Sequence, residues 1–399
     1  MRLLVNTLSI GSMSGNHVVY GFLRPLIRWM QPDHEIVVLH YDGQPPPADV
    51  AAHVATRPVD RKHRHWARRT LWEALRLPAV VRELQADVML NVSGALSANC
   101  DIPQVVLCQN PWCFRPTAHR HWQDRLKAKM QRAGYRRAFR GADMMIYLSD
   151  HLRGLYRTAN PDASEQASEI AFVGLNEDTY MSARDLAGTE REPFSILSVS
   201  AMANWKGADT LVESVRLLRQ RDIPATLNLV GPWPDQNYED QIRRQITAAG
   251  LNDAVHILGK VSDDELHRLY ATHQVFCLMS SCESFGIPAA EAMCFGTPVV
   301  STTCCAISEI CEPAGLFGPM ADPEWTADAL DTVLTDNDQW ATWSQNAIER
   351  AEMLRWENCA QAFRRIPELV GESLPPLPIE EQPAMAETFK DQHSQAAQP

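Results

Sequence analysis

Two carboxylates, Glu283 and Glu291, stand eight positions apart in the stretch Ser281-Cys-Glu-Ser-Phe-Gly-Ile-Pro-Ala-Ala-Glu-Ala-Met-Cys-Phe-Gly-Thr-Pro298. The apolar run Val275–Met279 ahead of it reads as a buried parallel strand. Pro288 suits the first turn of a helix, where a missing N–H costs nothing. Ala289 to Phe295 continue that helix, and Gly296 with Pro298 stop it. The pattern predicts strand, Gly-bearing loop and helix N-terminus, with Glu283 in the loop and Glu291 in the first helical turn. Unpaired N–H groups near Gly286 and Ile287, helped by the helix dipole, make an anion site between the two carboxylates.

The same order of elements recurs. The strand Phe194–Val199 leads into Ala201-Met-Ala-Asn-Trp-Lys-Gly207, and a helix follows with Leu211, Val212, Val215 and Leu218 at helical spacing. Near the start, Arg2–Leu8 leads into a loop with Gly11 and Gly15, then an apolar helix from about Val18 to Met30. Short apolar runs at 35–40, 87–92, 104–107, 142–148, 225–230, 255–258 and 298–302 alternate with helical stretches. That alternation predicts parallel, doubly wound sheets, on which ligands bind at the carboxyl ends of the strands.

Glu283, Phe285, Gly286, Pro288 and Glu291 together resemble the Glu-x7-Glu signature of retaining glycosyltransferases with the GT-B fold, glycosyltransferase family 4 in particular. The resemblance is strong over 194–320 and looser over 1–180. It implies two Rossmann-like domains facing a central cleft: 1–176 on the acceptor side and 177–345 binding a nucleotide sugar. It also implies a helix at 346–370 returning to the first domain, beginning near Trp356-Glu-Asn-Cys-Ala360. Glu283 would then contact the donor sugar and Glu291 the ribose hydroxyls, with backbone amides of Ser284, Phe285, Gly286 and Ile287 on the diphosphate. Lys206-Gly207 matches the Lys-Gly pair whose Lys neutralises that diphosphate, so Glu283 and Lys206 are the catalytic candidates. Gly11 and Gly15 would face the donor across the cleft, and Gly259 and Lys260 would lie beside the nucleobase. The chain departs from the family twice. The Arg usual five or six residues before the Lys is here Ala201 or Ser200, and the usual cleft His is replaced by Gln109-Asn110, with His17, His119 and His121 elsewhere. Gln109 and Asn110 read either as donor or acceptor contacts or as a loop-stabilising amide pair.

Composition sets further bounds. Of 399 residues, 45% are apolar, enough for two packed domains, and no apolar run reaches the roughly 18–20 residues that span a bilayer. Met1-Arg-Leu-Leu-Val5 enters a strand at once, so a cytoplasmic location is expected, with the ten Cys reduced. Cys294, Cys304 and Cys305 have no zinc spacing, and Asp336-Asn-Asp338 falls at a helix end. No metal or cofactor is therefore expected beyond the donor substrate. The net charge of −12 is unevenly spread. Residues 1–150 hold 20 Lys+Arg against 12 Asp+Glu, and the rest hold 17 against 37. The basic segments 57–82 and 112–140, with Trp66, Trp72 and Trp122, read two ways, as solvated helix faces or as a peripheral contact with an anionic membrane. Nucleic acid is not expected as a partner. Residues 371–399, rich in Pro, Gln, Glu and Ala, are expected to be disordered.

The resemblance implies transfer of a sugar from a nucleoside diphosphate sugar to an acceptor hydroxyl, in polysaccharide, lipopolysaccharide or lipid-linked glycan assembly. Two alternatives share the architecture: a nucleotide-sugar epimerase and a catalytically silent partner.

Overall fold

The computed structural model describes residues 1–11, 13–116, 119, 122–164 and 167–377. His121 and residues 378–399 of the expected tail lie outside the described residues.

A seven-stranded sheet comprises β1 (Arg2–Asn6), β2 (Glu35–Tyr41), β3 (Ala55–Val59), β4 (Val88–Asn91), β5 (Gln104–Cys108), β6 (Met144–Tyr147) and β7 (Ser168–Ile170). It is parallel throughout, in the order β3-β2-β1-β4-β5-β6-β7. A six-stranded parallel sheet comprises β8 (Glu192–Val199), β9 (Thr226–Val230), β10 (Val255–Gly259), β11 (His273–Leu278), β12 (Val299–Thr302) and β13 (Gly315–Gly318), ordered β10-β9-β8-β11-β12-β13. Central strands such as Val88–Asn91 and Met144–Tyr147 are buried along their whole length, as parallel strands covered on both faces must be. Strand order reverses beside β1 and beside β8, which opens a crevice at the carboxyl end of each sheet.

Right-handed crossovers sort the helices of the first sheet by the direction in which the chain moves. Helix Met13–Met30 packs on Leu3, Val5, Val38 and Leu90, whereas helix Leu77–Glu83 packs on Leu4, Leu39 and Met89 of the opposite face. Helices Trp66–Leu75 and Trp122–Gly141 both touch the loop between β4 and β5. Asn99 Nδ2 donates to Ala74 O at 3.2 Å, and Leu96 lies over Gly141.

Several boundaries differ from the sequence reading. The first helix begins at Met13, so Gly15 sits in its first turn rather than in the preceding loop. Residues 182–192 are polar and read as a loop from composition, but helix Glu177–Asp185 takes up their start. Residues 371–377, expected in the tail, lie on the first domain: Leu374 and Leu377 pack against its core, and the Met1 ammonium contacts Glu372 at 3.3 Å.

The chain crosses to the second sheet past Leu175, which bridges to Arg355, and comes back at Trp356. The Trp356 indole is held between Gly21 and Gly174. A Cβ added at Gly21 would fall 2.0 Å from it, and one at Gly174 2.4 Å. Phe22 meets the ring edge-on at a centroid distance of 5.1 Å, so the indole has no room to retreat. Helix propensity alone favours Gly21→Ala by about 1 kcal/mol. We expect the overpacking against Trp356 to outweigh this, at about 1–3 kcal/mol or more. Gly21→Ala should lower the thermal midpoint, and a rise would show that the indole can move.

Candidate functional site

Two loops at the carboxyl ends of β8 and β11 form the centre of the site. After β8 the chain makes a short 3-10 turn, Asn204–Lys206, and reverses at Gly207, whose φ is +74°. A Cβ there would lie 2.4 Å from Met279 O, so only glycine lets this loop pass the end of β11. Ser281 N donates to Trp205 O at 2.8 Å and pins the loops together. The result is an ion pair between Lys206 Nζ and Glu283 Oε1, with the side chains only 16% and 14% exposed. Such half-desolvated charges hold each other in place, because either alone would be costly.

The second loop turns into helix Ile287–Cys294 at Gly286, φ +98°, where a Cβ would meet Ile307 at 2.6 Å. Glycine has no side chain with which to cap, and no side-chain cap bond closes this N-terminus. Ala289 N and Ala290 N donate to Gly286 O at 3.0 and 3.2 Å and Pro288 has no N–H, so an anionic group here would draw on the amides nearer Gly286. Phe285 is buried and anchors the loop against Phe172 of the crossover, at a ring distance of 6.1 Å.

Glu291 falls in the second turn of this helix, not the first. Its Oε2 accepts from Tyr270 Oη at 3.0 Å. Burial pushes its carboxyl up to about 7, the Tyr270 hydrogen bond opposes this, and the charge of Asp263 adds to it.

The remaining expected residues are less closely gathered. Gly259, φ +68°, ends β10, and its carbonyl accepts from Gly231 N at 2.7 Å, with Lys260 exposed beside it. Gly11 is exposed, and a Cβ there would meet nothing within 4 Å. Gln109 Nε2 donates to Val92 O at 3.1 Å, and Asn110 Oδ1 accepts from Trp112 N at 2.9 Å. The first bond reaches the segment after β4, and the second lies within the loop itself. His17 bonds Gly174 O at the crossover and His119 bonds Trp112 O.

Contacts across the cleft bring in residues that the sequence reading missed. Ser149 Oγ donates to Ser284 O at 3.2 Å, directly onto the signature loop. Asp150 N and His151 N, at the start of helix Asp150–Thr158, donate to the two oxygens of Glu309 at 2.7 and 2.8 Å. The Arg115 guanidinium donates to Cys304 O and lies 2.9 Å from His151 Nε2. Burial, then the Arg115 charge, lowers the His151 imidazole pKa. No spacing rule announces these partners. Arg115 and Cys304 are 189 positions apart and meet only after both sheets form. All ten Cys are free thiols, and a hydrogen bond from Cys305 chiefly lowers the Cys304 pKa. A cavity of about 780 Å³ lies at the opposite edge of the first sheet, lined by Met1, Arg2, His34 and Asp87 among others, and shares none of these groups.

Comparison with known proteins matches residues 184–350 to the family model described as Glycosyl transferases group 1. Over 225 residues the chain is 32% identical to a D-inositol 3-phosphate glycosyltransferase of Corynebacterium urealyticum, covering 53% of this chain and 52% of that protein. It is 32% identical over 171 residues to an MMP alpha-(1->4)-mannosyltransferase of Mycolicibacterium hassiacum, covering 41% and 40%. The chain spans about half the length of the first of these curated relatives, or less for the second. Its fold matches Anabaena HepE, solved in complex with UDP-glucose, with TM-score 0.66, 18% identity and coverage of 93% and 99%. Sucrose-phosphate synthase from Thermosynechococcus elongatus matches with TM-score 0.70, 17% identity and the same coverage. The two facing sheets are the GT-B architecture.

Glu291 carries a pH prediction of its own. Its folded value lies above the unfolded one of 4.5, so the folded chain keeps a proton that the unfolded chain releases. Stability is therefore lost as pH rises from about 4.5 to about 7 and stays level above that. Glu291→Gln should remove this loss, with a gain over wild type on the order of 3 kcal/mol at pH 8 that shrinks towards pH 5. Urea unfolding at pH 5, 6.5 and 8 reads the difference, and a difference that ignores pH would refute the assignment.

Proposed function

We propose that the chain, whose residues 184–350 match the family model described as Glycosyl transferases group 1, is a retaining glycosyltransferase using a nucleoside diphosphate sugar. The observation that carries this reading is the Lys206–Glu283 ion pair set beside the uncapped helix N-terminus at Gly286. The difficult step is departure of the diphosphate, which gains negative charge as the anomeric C–O bond breaks. Lys206 has three N–H donors and spends one on Glu283, leaving others for phosphate oxygens. The amides around Gly286 add fixed positive ends that need no reorganisation. Glu283 orients the sugar and stabilises the positive charge of an oxocarbenium-like state. Glu291 takes the ribose hydroxyls. The acceptor hydroxyl attacks from the face the diphosphate leaves, and a phosphate oxygen takes its proton, so retention needs no second carboxylate. We propose that no metal ion takes part.

The acceptor would lie on the first domain, in polysaccharide or lipid-linked glycan assembly. Supporting a lipid setting, helix Trp122–Gly141 exposes Trp122 (72%), Leu126 and Met130 along one side, with Arg125, Lys129 and Arg132 exposed around them. Helix Trp66–Leu75 exposes Trp66, Leu71 and Leu75 across the shared loop. Apolar stripes rimmed by cations fit the interface of an anionic bilayer. No described helix is long and apolar enough to cross a membrane.

Thermal unfolding with UDP, GDP, ADP and dTDP tests the donor site. One of these at about 100 times its dissociation constant should add about 2.7 kcal/mol of stability, lost in Glu291→Ala. No shift with any of them at millimolar concentration would favour the silent-partner alternative. With the matching sugar donor, the product should keep the donor's anomeric configuration, and a chelator should leave the rate unchanged. Sedimentation with vesicles containing phosphatidylglycerol should pull the chain down, and Trp122→Ala with Leu126→Ser should release it. Equal binding to purely zwitterionic vesicles would remove the electrostatic part of the reading.

A further inference from the structure

The donor loops hold a charge deficit. Lys206 faces the diphosphate position, but its charge is matched by Glu283. Ser200 and Ala201, earlier in the same loop, bring no cation. A departing nucleoside diphosphate carries two to three negative charges, more than one neutralised ion pair and a helix end can balance.

A further cation reaches this edge of the sheet from the first domain, at the loop after β12, whose Cys304 thiol donates to Ser280 O at 3.6 Å at the start of the β11 loop. Arg115 follows β5 through a short 3-10 turn, Trp112–Phe114. Phe114 fixes that turn against Tyr135 and Tyr156, at ring distances of 5.9 and 5.1 Å. The guanidinium then crosses the cleft to Cys304 O, beside His151 of its own domain. Three features set it apart from a structural arginine. It has no carboxylate ion-pair partner among the described residues, so its charge is unspent. The His151 imidazole beside it is pushed towards the neutral form by burial and by Arg115 itself. Its Nε is buried and lacks a hydrogen-bond partner. A buried charged donor without a partner is costly, so this contact between the domains is not one that packing alone favours. Arg115 also lies near the reacting loop. The Cys282 thiol, next to Glu283, is influenced by the charges of both Arg115 and Lys206.

We infer that Arg115 is a donor-binding residue, contributed by the opposite domain, that contacts the diphosphate of the nucleotide sugar and stands in for the arginine that the donor loop lacks. This rests on the donor site proposed above. A planar guanidinium suits phosphate oxygens in a way that an ammonium does not. Because the group sits on the first domain, the cationic half of the leaving-group site is complete only when the two domains are together.

The test is isothermal titration of wild type, Arg115→Gln and Arg115→Lys. The probes are whichever of UDP, GDP, ADP or dTDP stabilises the wild type, and the matching nucleoside monophosphate. Arg115→Gln should weaken diphosphate binding about tenfold or more, the loss expected for charge-assisted hydrogen bonds, and monophosphate binding by less than about threefold. Arg115→Lys, which keeps the charge but not the fork, should fall between wild type and Arg115→Gln for the diphosphate. The melting temperature without ligand checks that each variant is folded. An equal loss for both nucleotides would make Arg115 a mere clasp between domains and overturn the inference. Unchanged diphosphate binding would overturn it as well, while leaving the donor site intact. Failure of the wild type to bind any of the four diphosphates would instead remove the donor site, and this inference with it.

Discussion

The Lys206–Glu283 ion pair is the constraint around which the second domain is arranged. Its partners come from loops 77 positions apart and are both largely withdrawn from water. Withdrawing either charge alone would cost several kcal/mol, so the loops must arrive at fixed places. Two glycines with positive φ make this possible. Gly207 lets the first loop pass Met279, and Gly286 lets the second turn into its helix under Ile307. The strand order then matters because β8 and β11 are neighbours. Only adjacent parallel strands deliver both loops to one point on the sheet's carboxyl edge.

The two sheets meet through that same edge. Loops after β5 and β6 touch loops after β11 and β12, through Arg115, Ser149 and the amides of Asp150 and His151. Most of these contacts are polar: a carbonyl, a hydroxyl, a carboxylate on a helix start. Polar seams of this kind exchange with water at little net cost, since each bond replaces one made to solvent. Apolar contacts join the two halves as well, at Trp356 between Gly21 and Gly174 and at Phe285 on Phe172.

Much of this was legible in the sequence, and the exceptions have physical causes. The interior strands were read because burial on both faces leaves continuous apolar runs such as Val105–Leu107 and Met144–Ile146. The missed strands, β3, β7 and β13, are all at sheet edges. An edge strand is paired on one side only, so β3 tolerates Pro58 and polar Arg57, and β13 carries a glycine at each end. The Lys206, Glu283 and Gly286 cluster was legible because it is local: two short loops, each bounded by a strand and a helix. Glu291 was placed one turn early because the first turn was counted from Pro288, whereas the helix starts at Ile287 with Gly286 as its N-cap. Gly15 was placed in a loop because a glycine near a helix start gives no hint of which side of the boundary it occupies. Arg115, His151 and Glu309 could not be found at all. Their meaning lies in a contact between domains, for which the chain has no period and no spacing.

Charge gives the last step. Residues 151–399 carry 37 acidic against 17 basic side chains, yet this is the half assigned an anionic donor. The paradox dissolves at the scale of the Debye length, about 8 Å in physiological salt. Several of the acidic groups lie on outer helices and are matched by arginines there: Asp328 and Asp331 by Arg221, Glu239 by Arg243, Asp253 by Arg219. Exposed charges at that range are screened from the cleft. What a ligand feels is the local set: a neutral ion pair, an uncapped helix start, and whatever cation the facing domain brings. Net charge therefore says little about this donor site, and the position of a few groups at one sheet edge says most of it.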